Sequence, residues 1–260
     1  MIDVLGVIPA RYASQRFPGK PLKPVAGRPL LQWVHEAARK ALRHVVVATD
    51  DRRILDFVKQ TGGQAVLTSS RCKSGTDRVA EVARRIPAKL YLNIQGDEPL
   101  MSARTIRRVV ALHKDKAVRM GTAATFLRRE TVWRDPNNVK VLVGQSGRAL
   151  YFSRAPIPFF RNPDTDFHPA VFTQISPAGG RSTGGVYKHL GIYSYTAELL
   201  RRFVRWPESV FEKAERLEQL RALENGVDIA VALTPDDSIG VDVPADAVKV
   251  EVLLRKGHVQ

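Results

Sequence analysis

"PLLQWVHEAARKALRHVVVATDDRRILDFVKQTGG", residues 29 to 63, passes from a helical pattern through the apolar run "HVVVATD" into a second helical pattern. The same alternation extends on both sides. "VLGVIP" (4–9) precedes it, and "QAVLTS" (64–69), a helix around "TDRVAEVARRI" (76–86), the run "LYLNIQGDEP" (90–99) and a helix from about Ser102 follow. This βαβα rhythm predicts an α/β fold with a mainly parallel central sheet covered by helices on both faces. Local punctuation agrees: Pro29 suits a first helical turn, Thr76 and Ser102 suit helix caps, and Gly62 with Gly63 suits a helix end.

Beyond about residue 118 the rhythm gives way to strand-like runs, "MGTAATFL", "NNVKVLV" and "RALYFSR", with "QSG" between the last two reading as a hairpin turn. Residues 156 to 185 are rich in Pro and Gly and lack periodicity, which reads as a functional loop or part of a subunit contact. A strand "VYKHLGIYSY", helical patterns at "AELLRRF" and "LEQLRALENG", a strand "DIAVAL" and a helix after "DVPAD" complete the chain. No repeat or separating linker is found. The expected organisation is a single domain, residues 1–260, with an inserted antiparallel element at roughly 126–195.

Composition narrows the class. With 260 residues, 44% hydrophobic and 26% charged, the chain can bury a substantial core. No apolar run approaches the roughly 18 residues of a membrane span, and "MIDVLGVIPARY" does not read as a signal peptide, so a cytoplasmic protein with no membrane insertion is expected. Cys72 is the only cysteine, which excludes an internal disulfide and a thiolate zinc cluster. The net charge of +15 suits nucleic acid, anionic membrane or small polyanionic substrates without choosing among them. Aromatic residues do not recur beside the charges as a base-stacking platform requires, so solvated helix faces are the favoured reading and no nucleic-acid partner is expected.

Several chemistries are absent from the motifs. There is no G-x-G dinucleotide fingerprint, no G-x-x-x-x-G-K-[ST] phosphate loop, no H-E-x-x-H and no G-x-S-x-G. Three groups of polar residues remain near predicted strand ends, where open α/β sheets bind ligands. In "IPARYASQRFPGKPL" (8–22), Arg11, Arg16 and Lys20 share a loop stiffened by prolines, a combination suited to polyphosphate, although a basic surface loop would look similar. In "NIQGDEP" (93–99), Asp97 follows a buried-looking strand and is placed to ligate Mg²⁺; Asp242 in "IGVDVP" is a second, more distant candidate, with a helix cap as its alternative role. In "KSGTDR" (73–78), Ser74, Thr76 and Arg78 suit either a base or sugar contact or simply a capped helix start.

"IPARYASQRFPGKPL", "ATD", "SGTDR", "QGDEPL", "YFSRAPIP", "HLGIYSY", "LEQLR" and "GVDVPAD" occur together and in order from about residue 5 to 250. In this the chain resembles the 3-deoxy-manno-octulosonate cytidylyltransferase, or CMP-Kdo synthetase, family. The resemblance implies a Rossmann-like nucleotidyltransferase fold related to the GT-A glycosyltransferases, a homodimer joined through the antiparallel element, and Mg²⁺-dependent transfer of CMP from CTP to Kdo for lipopolysaccharide assembly. It also implies roles by motif. Arg11, Arg16 and Lys20 would bind the CTP phosphates, with Ala10 beside them, and Arg11, Lys20, Asp97 and Asp242 would form the catalytic group. Ser74, Thr76, Arg78 and Gln95 would surround the nucleoside, and Asp97 and Asp242 would hold the metal. Arg154, His189, Tyr193, Glu218 and Gln219 would form the sugar-acid side, with Arg154 facing the carboxylate. His189 and Tyr193, four apart on a strand, would share a face; the adjacent Glu218 and Gln219 would diverge on a helix. Lys188 and Val243 stand where that family usually has Arg and Thr.

Two rivals accompany this reading. One is CMP transfer to a related acid, such as 8-amino-Kdo or a sialic acid. The other is a basic nucleic-acid-binding protein on the same scaffold, motivated by the charge and opposed by the metal-type aspartate pair.

Overall fold

The computed structural model of the chain describes residues 1–13, 16–161 and 184–256. Its strands are β1 (Ile2–Ala10), the short β2 (Pro24–Val25) and β3 (Arg28–Pro29), β4 (Val45–Thr49), β5 (Ala65–Leu67), β6 (Ala88–Ile94), β7 (Met120–Phe126), β8 (Lys140–Val143), β9 (Ala149–Ser153), β10 (Gly185–Thr196) and β11 (Ile229–Thr234). The larger sheet runs β11-β7-β10-β6-β1-β4-β5, with β8 and β9 attached beside β10. β6, β1, β4 and β5 pair in parallel, as do β7 and β11, while β10 is antiparallel to both β7 and β6.

The apolar runs become strands because both faces of the sheet are covered. Along β1, Val7 belongs to a core shared with α3 (Gly75–Arg85) and the helix Ala197–Phe203. Ile8 belongs to the opposite core, packed with α1 (Leu30–Ala41), α2 (Arg52–Gln60) and α4 (Ala103–Ala111). Burying one of these aliphatic side chains stabilises the fold by about 2 kcal/mol. Chain order reverses at β1, whose neighbours are β4 and β6, so the loops after β1 and β6 open onto one crevice.

Ser102 caps α4, as its sequence suggests, by accepting from the Thr105 amide. The cap of α3 is Ser74, not Thr76: Ser74 and Asp77 form a reciprocal capping box and Thr76 lies inside the first turn. Nor does Asp242 cap the last helix, Pro244–Arg255. Asp246 takes the amides of Asp242 and Val243, which leaves the Asp242 carboxylate outside the cap.

The antiparallel portion is less separate than an insertion would be. β8 and β9 form the hairpin expected around "QSG", with Gly147 at φ 74° in its turn, but β7 pairs in parallel with β11, and β10 passes from β8 into the middle of the main sheet. Most of the loop expected at 156–185 lies outside the described residues. Among the described residues no helix is long and apolar enough to cross a membrane.

Candidate active site

The loop after β1 is fixed by its backbone. The Gly19 amide donates to Tyr12 O at 2.9 Å and Gly19 adopts φ 69°, a left-handed conformation with the Tyr12 ring against it, so a side chain there would be strained. A short turn, Lys20–Leu22, follows with Pro21 buried. Lys20 is thereby aimed inward, its side chain only 12% exposed. Its Nζ donates to Asp97 Oδ2 at 2.7 Å and to Val241 O at 2.7 Å, and lies 3.6 Å from Asp242 Oδ1.

The other two cations stand further out. Arg16 reaches Asp242 Oδ1 at 3.2 Å from an exposed position, and the exposed Arg11 donates to the Cys72 carbonyl across the opening. Ala10, Arg11, Lys20, Gly75, Gln95, Gly96 and Asp97 line the cleft between them, which has a volume of about 250 Å³. Ala10 and Gln95 thus join the loop as expected, while Ser14 and Gln15 lie outside the described residues.

Close approach of β1 and β6 shapes this cleft. A Cβ at Gly96 would sit 2.6 Å from Pro9 O, so glycine permits the two strand ends to touch. Asp97 O accepts from the Val241 amide at 2.9 Å, which stitches the "QGDEP" turn to the segment carrying Asp242. That segment is tethered further back: Ser102 and Arg104 hold Asp236, and Lys188 donates to Asp237 Oδ1 at 2.7 Å and Ser238 O at 3.0 Å. Lys188 therefore acts as an anchor of the Asp242 segment.

Asp97 and Asp242 form a hard-oxygen pair around one ammonium at the mouth of the cleft. Such a donor set fits Mg²⁺, which is usually held by one or two carboxylates together with substrate phosphate oxygens. Among the described residues no cluster of three or more His, Cys, Asp or Glu side chains could hold a metal alone. A metal bound by this pair would complete its shell from substrate and water.

The first turn of α3 forms one wall. Thr76 is buried and donates to Glu218 Oε2 at 2.6 Å, while Asn93 Nδ2 donates to Thr76 Oγ1 at 3.3 Å and Gln95 Nε2 to Asn93 Oδ1 at 3.4 Å. Burial raises the Glu218 pKa, and hydrogen bonds from Thr76 and Ser74 oppose the rise. Arg78 is placed elsewhere. It is fully buried, with its guanidinium on Asp50 Oδ2 at 2.9 Å and on Thr68 Oγ1 at 2.5 Å, so it braces α3 against the ends of β4 and β5 and presents no surface to a nucleoside.

The sugar-side candidates meet at β10. Tyr193 OH donates to Gln219 Oε1 at 3.0 Å, and Gln219 Nε2 is buried without a hydrogen-bond partner, a donor that a ligand oxygen would satisfy. The His189 and Tyr193 rings are in contact, tilted by 40° with centroids 5.4 Å apart. Regular strand does not explain this contact, because four residues span about 13 Å. The register against β7 slips here: Leu190 faces Ala123, yet Tyr193 faces Thr122, so Gly191 and Ile192 are extra residues in a bulge.

Thr122 pins the bulge, donating to Ile192 O at 2.7 Å with His189 Nε2 at 2.9 Å. Since a hydroxyl has one proton to give, His189 donates through Nε2–H and keeps Nδ1 as acceptor. Burial pushes the His189 pKa down to about 3, so the imidazole is neutral. Arg154 Nε and Nη1 donate to Glu215 O at 2.8 Å and Pro136 O at 3.0 Å, and its charge acts on Tyr193 in the sugar-side group. Glu218 and Gln219 lie in the turn before the helix Leu220–Glu224, not on it, and diverge toward Thr76 and Tyr193 respectively, linking the two walls.

Asn93, Gly96, Glu98, Thr122 and Gly191 are site residues that the motifs do not single out. Gly191, in mid-strand within "HLGIYSY", carries a readable signal, since an isolated glycine in a strand marks a bulge or a close approach.

The chain matches the family described as Cytidylyltransferase over residues 5–229. It is 46% identical over 257 residues to the 3-deoxy-manno-octulosonate cytidylyltransferase of Syntrophotalea carbinolica, covering 98% of this chain and 99% of that protein. The protein of that name from Geobacter sulfurreducens is 46% identical over 252 residues, covering 96% and 98%. The structure of a CMP:2-keto-3-deoxy-manno-octonic acid synthetase complexed with CTP superposes with a TM-score of 0.85 at 37% identity, covering 98% of this chain and 99% of the other. A glucose-1-phosphate thymidylyltransferase from Bacillus anthracis shares the fold alone, with a TM-score of 0.66 at 13% identity and coverage of 97% and 95%.

Proposed function

The chain belongs to the 3-deoxy-manno-octulosonate cytidylyltransferase (CMP-Kdo synthetase) family, and we propose that it transfers CMP from CTP to Kdo, releasing pyrophosphate. The observation that carries this reading is the meeting of Lys20, Asp97 and Asp242 at the mouth of the cleft lined by Ala10, Arg11 and Gln95.

In this reading the anomeric 2-hydroxyl of the sugar acid loses its proton to water as its oxygen bonds to the α-phosphorus of CTP. The bond from that phosphorus to its bridging oxygen breaks, and pyrophosphate leaves. Arg11 and Arg16 grip phosphate oxygens from the rim, while the inward Lys20 offers its ammonium to charge that builds up during transfer. Asp97 and Asp242 would hold Mg²⁺, which when bound supplies Lewis-acid neutralisation of the phosphates. Gln95, Asn93, Thr76 and Ser74 form the nucleoside wall. His189, Tyr193 and Gln219 receive the sugar acid, with neutral His189 offering an acceptor and Gln219 an unmatched donor.

Residues 1–260 then act as a single nucleotidyltransferase domain, a reading supported by the passage of β10 from the β8–β9 hairpin into the main sheet. The same region would form a homodimer. In support, Leu150 on β9 is 65% exposed, and Val210 and Phe211 are 73% and 49% exposed, with the Phe211 ring 6.0 Å from that of Tyr151 on β9. Sedimentation of the pure protein at twice the monomer mass checks this.

Pyrophosphate release from CTP and Mg²⁺, with Kdo, 8-amino-Kdo and N-acetylneuraminate offered separately, tests the reaction. Release with Kdo, abolished by EDTA, is expected. Release with no acid would overturn the reading, and release with 8-amino-Kdo or N-acetylneuraminate alone would reassign the acceptor.

A further inference from the structure

We propose that Glu98 is a positioning residue: by gripping the backbone of Gly191 it holds the β10 bulge that brings His189 and Tyr193 together for the sugar acid. The sugar-acid part of this inference rests on the function proposed above.

The Gly191 amide donates to Glu98 Oε1 at 3.0 Å. This amide lies where β10 loses its register with β7, so the carboxylate supplies the bulge with a partner that the ladder does not. Thr122 holds the next residue from the other side through Ile192 O at 2.7 Å. The two clamps fix the two extra residues of β10. The consequence is geometric: His189 faces Ala124 and Tyr193 faces Thr122, so residues four apart in sequence occupy successive places on one face.

Gly191 and Glu98 also fit one another sterically. A Cβ built on Gly191 would run into Glu98 Oε1, with the Gln95 side chain 3.2 Å away on the same side. Any side chain at 191 must therefore displace the carboxylate. Gly191 thus stands between Gln95, on the nucleotide cleft, and the bulge that carries the sugar-side rings. Glu98 follows Asp97 directly, so the turn that places one carboxylate at the phosphate mouth places the next one on the bulge.

A structural carboxylate with no link to the sugar side would lower stability without separating the two substrates. The positioning role separates them. Glu98→Ala should raise KM for Kdo about tenfold or more, because small misplacements of binding groups are costly. KM for CTP should stay within about twofold, since Lys20, Arg11 and Gln95 keep their own supports. Gly191→Ala, whose methyl group also meets the Gln95 side chain, should likewise raise KM for Kdo. The double variant should be no worse than either single one, because both remove the same contact. Glu98→Gln retains an oxygen acceptor and should recover most of the loss.

Amide hydrogen exchange provides a readout independent of turnover. Exchange at Gly191 should accelerate by more than tenfold in Glu98→Ala and return toward wild type in Glu98→Gln, while the amides of Gly19, Lys20 and Leu22 remain unchanged. Unaltered Gly191 exchange in Glu98→Ala would overturn the clamp. Faster exchange with an unchanged KM for Kdo, or parallel rises in both KM values, would overturn its role in the sugar site. A wild-type protein inactive with every acid would refute the proposed reaction, and with it the sugar-site role, while the exchange measurement still decides the clamp.

Discussion

Lys20 Nζ donates to Asp97 Oδ2 at 2.7 Å, tying the loop after the first strand to the carboxylate that follows the sixth. With Asp242 Oδ1 at 3.6 Å from the same nitrogen, one partly buried ammonium sits against two carboxylates. The pair keeps Lys20 extended toward the cleft and keeps two acidic groups close together.

Lys20→Ala should lower kcat by about 10²- to 10³-fold by removing a charged donor from the phosphates. Steady-state pyrophosphate release with saturating CTP and Kdo checks this, and a rate within twofold of wild type would remove Lys20 from the mechanism. Arg16→Ala should have a smaller effect, because Arg16 reaches Asp242 from an exposed position.

Asp97→Asn and Asp242→Asn should each abolish most of the Mg²⁺-dependent turnover and shift the remainder to higher metal concentration. An Asn oxygen remains, but the charge that favours a hard cation is lost. Titrating Mg²⁺ into EDTA-treated protein tests this, and full activity in both variants would refute the metal assignment.

Arg78→Met should destabilise the fold by about 3 kcal/mol, because it strips the partner from Asp50 and leaves Thr68 without its donor. Urea denaturation measures the loss. Unchanged stability with a raised KM for CTP would show that Arg78 contacts the nucleotide instead.

His189 should make the folded protein lose stability on acidification. Its folded pKa is about 3, down from 6.5 through burial. Below pH 6.5 the unfolded chain takes up a proton that the folded imidazole refuses, so this contribution is full above 6.5 and falls as pH drops toward 3. The slope approaches about 1.4 kcal/mol per pH unit. Glu98 acts in the opposite sense, because burial raises its pKa to about 7 and the Asp97 charge adds to the rise. The effect is therefore read as the stability difference between wild type and His189→Gln, which should shrink between pH 7 and pH 5. A pH-independent difference would contradict the buried neutral state.

Much of the site was legible in short runs of residues. "IPARYASQRFPGKPL" shows a stiff cationic loop after a strand, and "QGDEP" shows a carboxylate at a strand end, because both are local and both sit at the carboxyl ends of adjacent strands. Arg78 and Arg154 each have partners that their motifs do not show. A guanidinium reads as an anion receptor from its type alone, whereas its partners here, Asp50, Thr68, Glu215 O and Pro136 O, are set by packing.

The alternation of strand and helix, the Ser102 cap, the cationic first loop and the candidate carboxylates can all be read along the chain. These depend on periodicity and on chemistry within a few residues. That Lys20 stands between Asp97 and Asp242, that Arg78 is a brace, and that a bulge joins His189 to Tyr193 beside Glu98 emerges with the folded chain. Each of those outcomes depends on strand order and register between distant segments, and a shift of one residue in pairing would turn the same side chains to the opposite face.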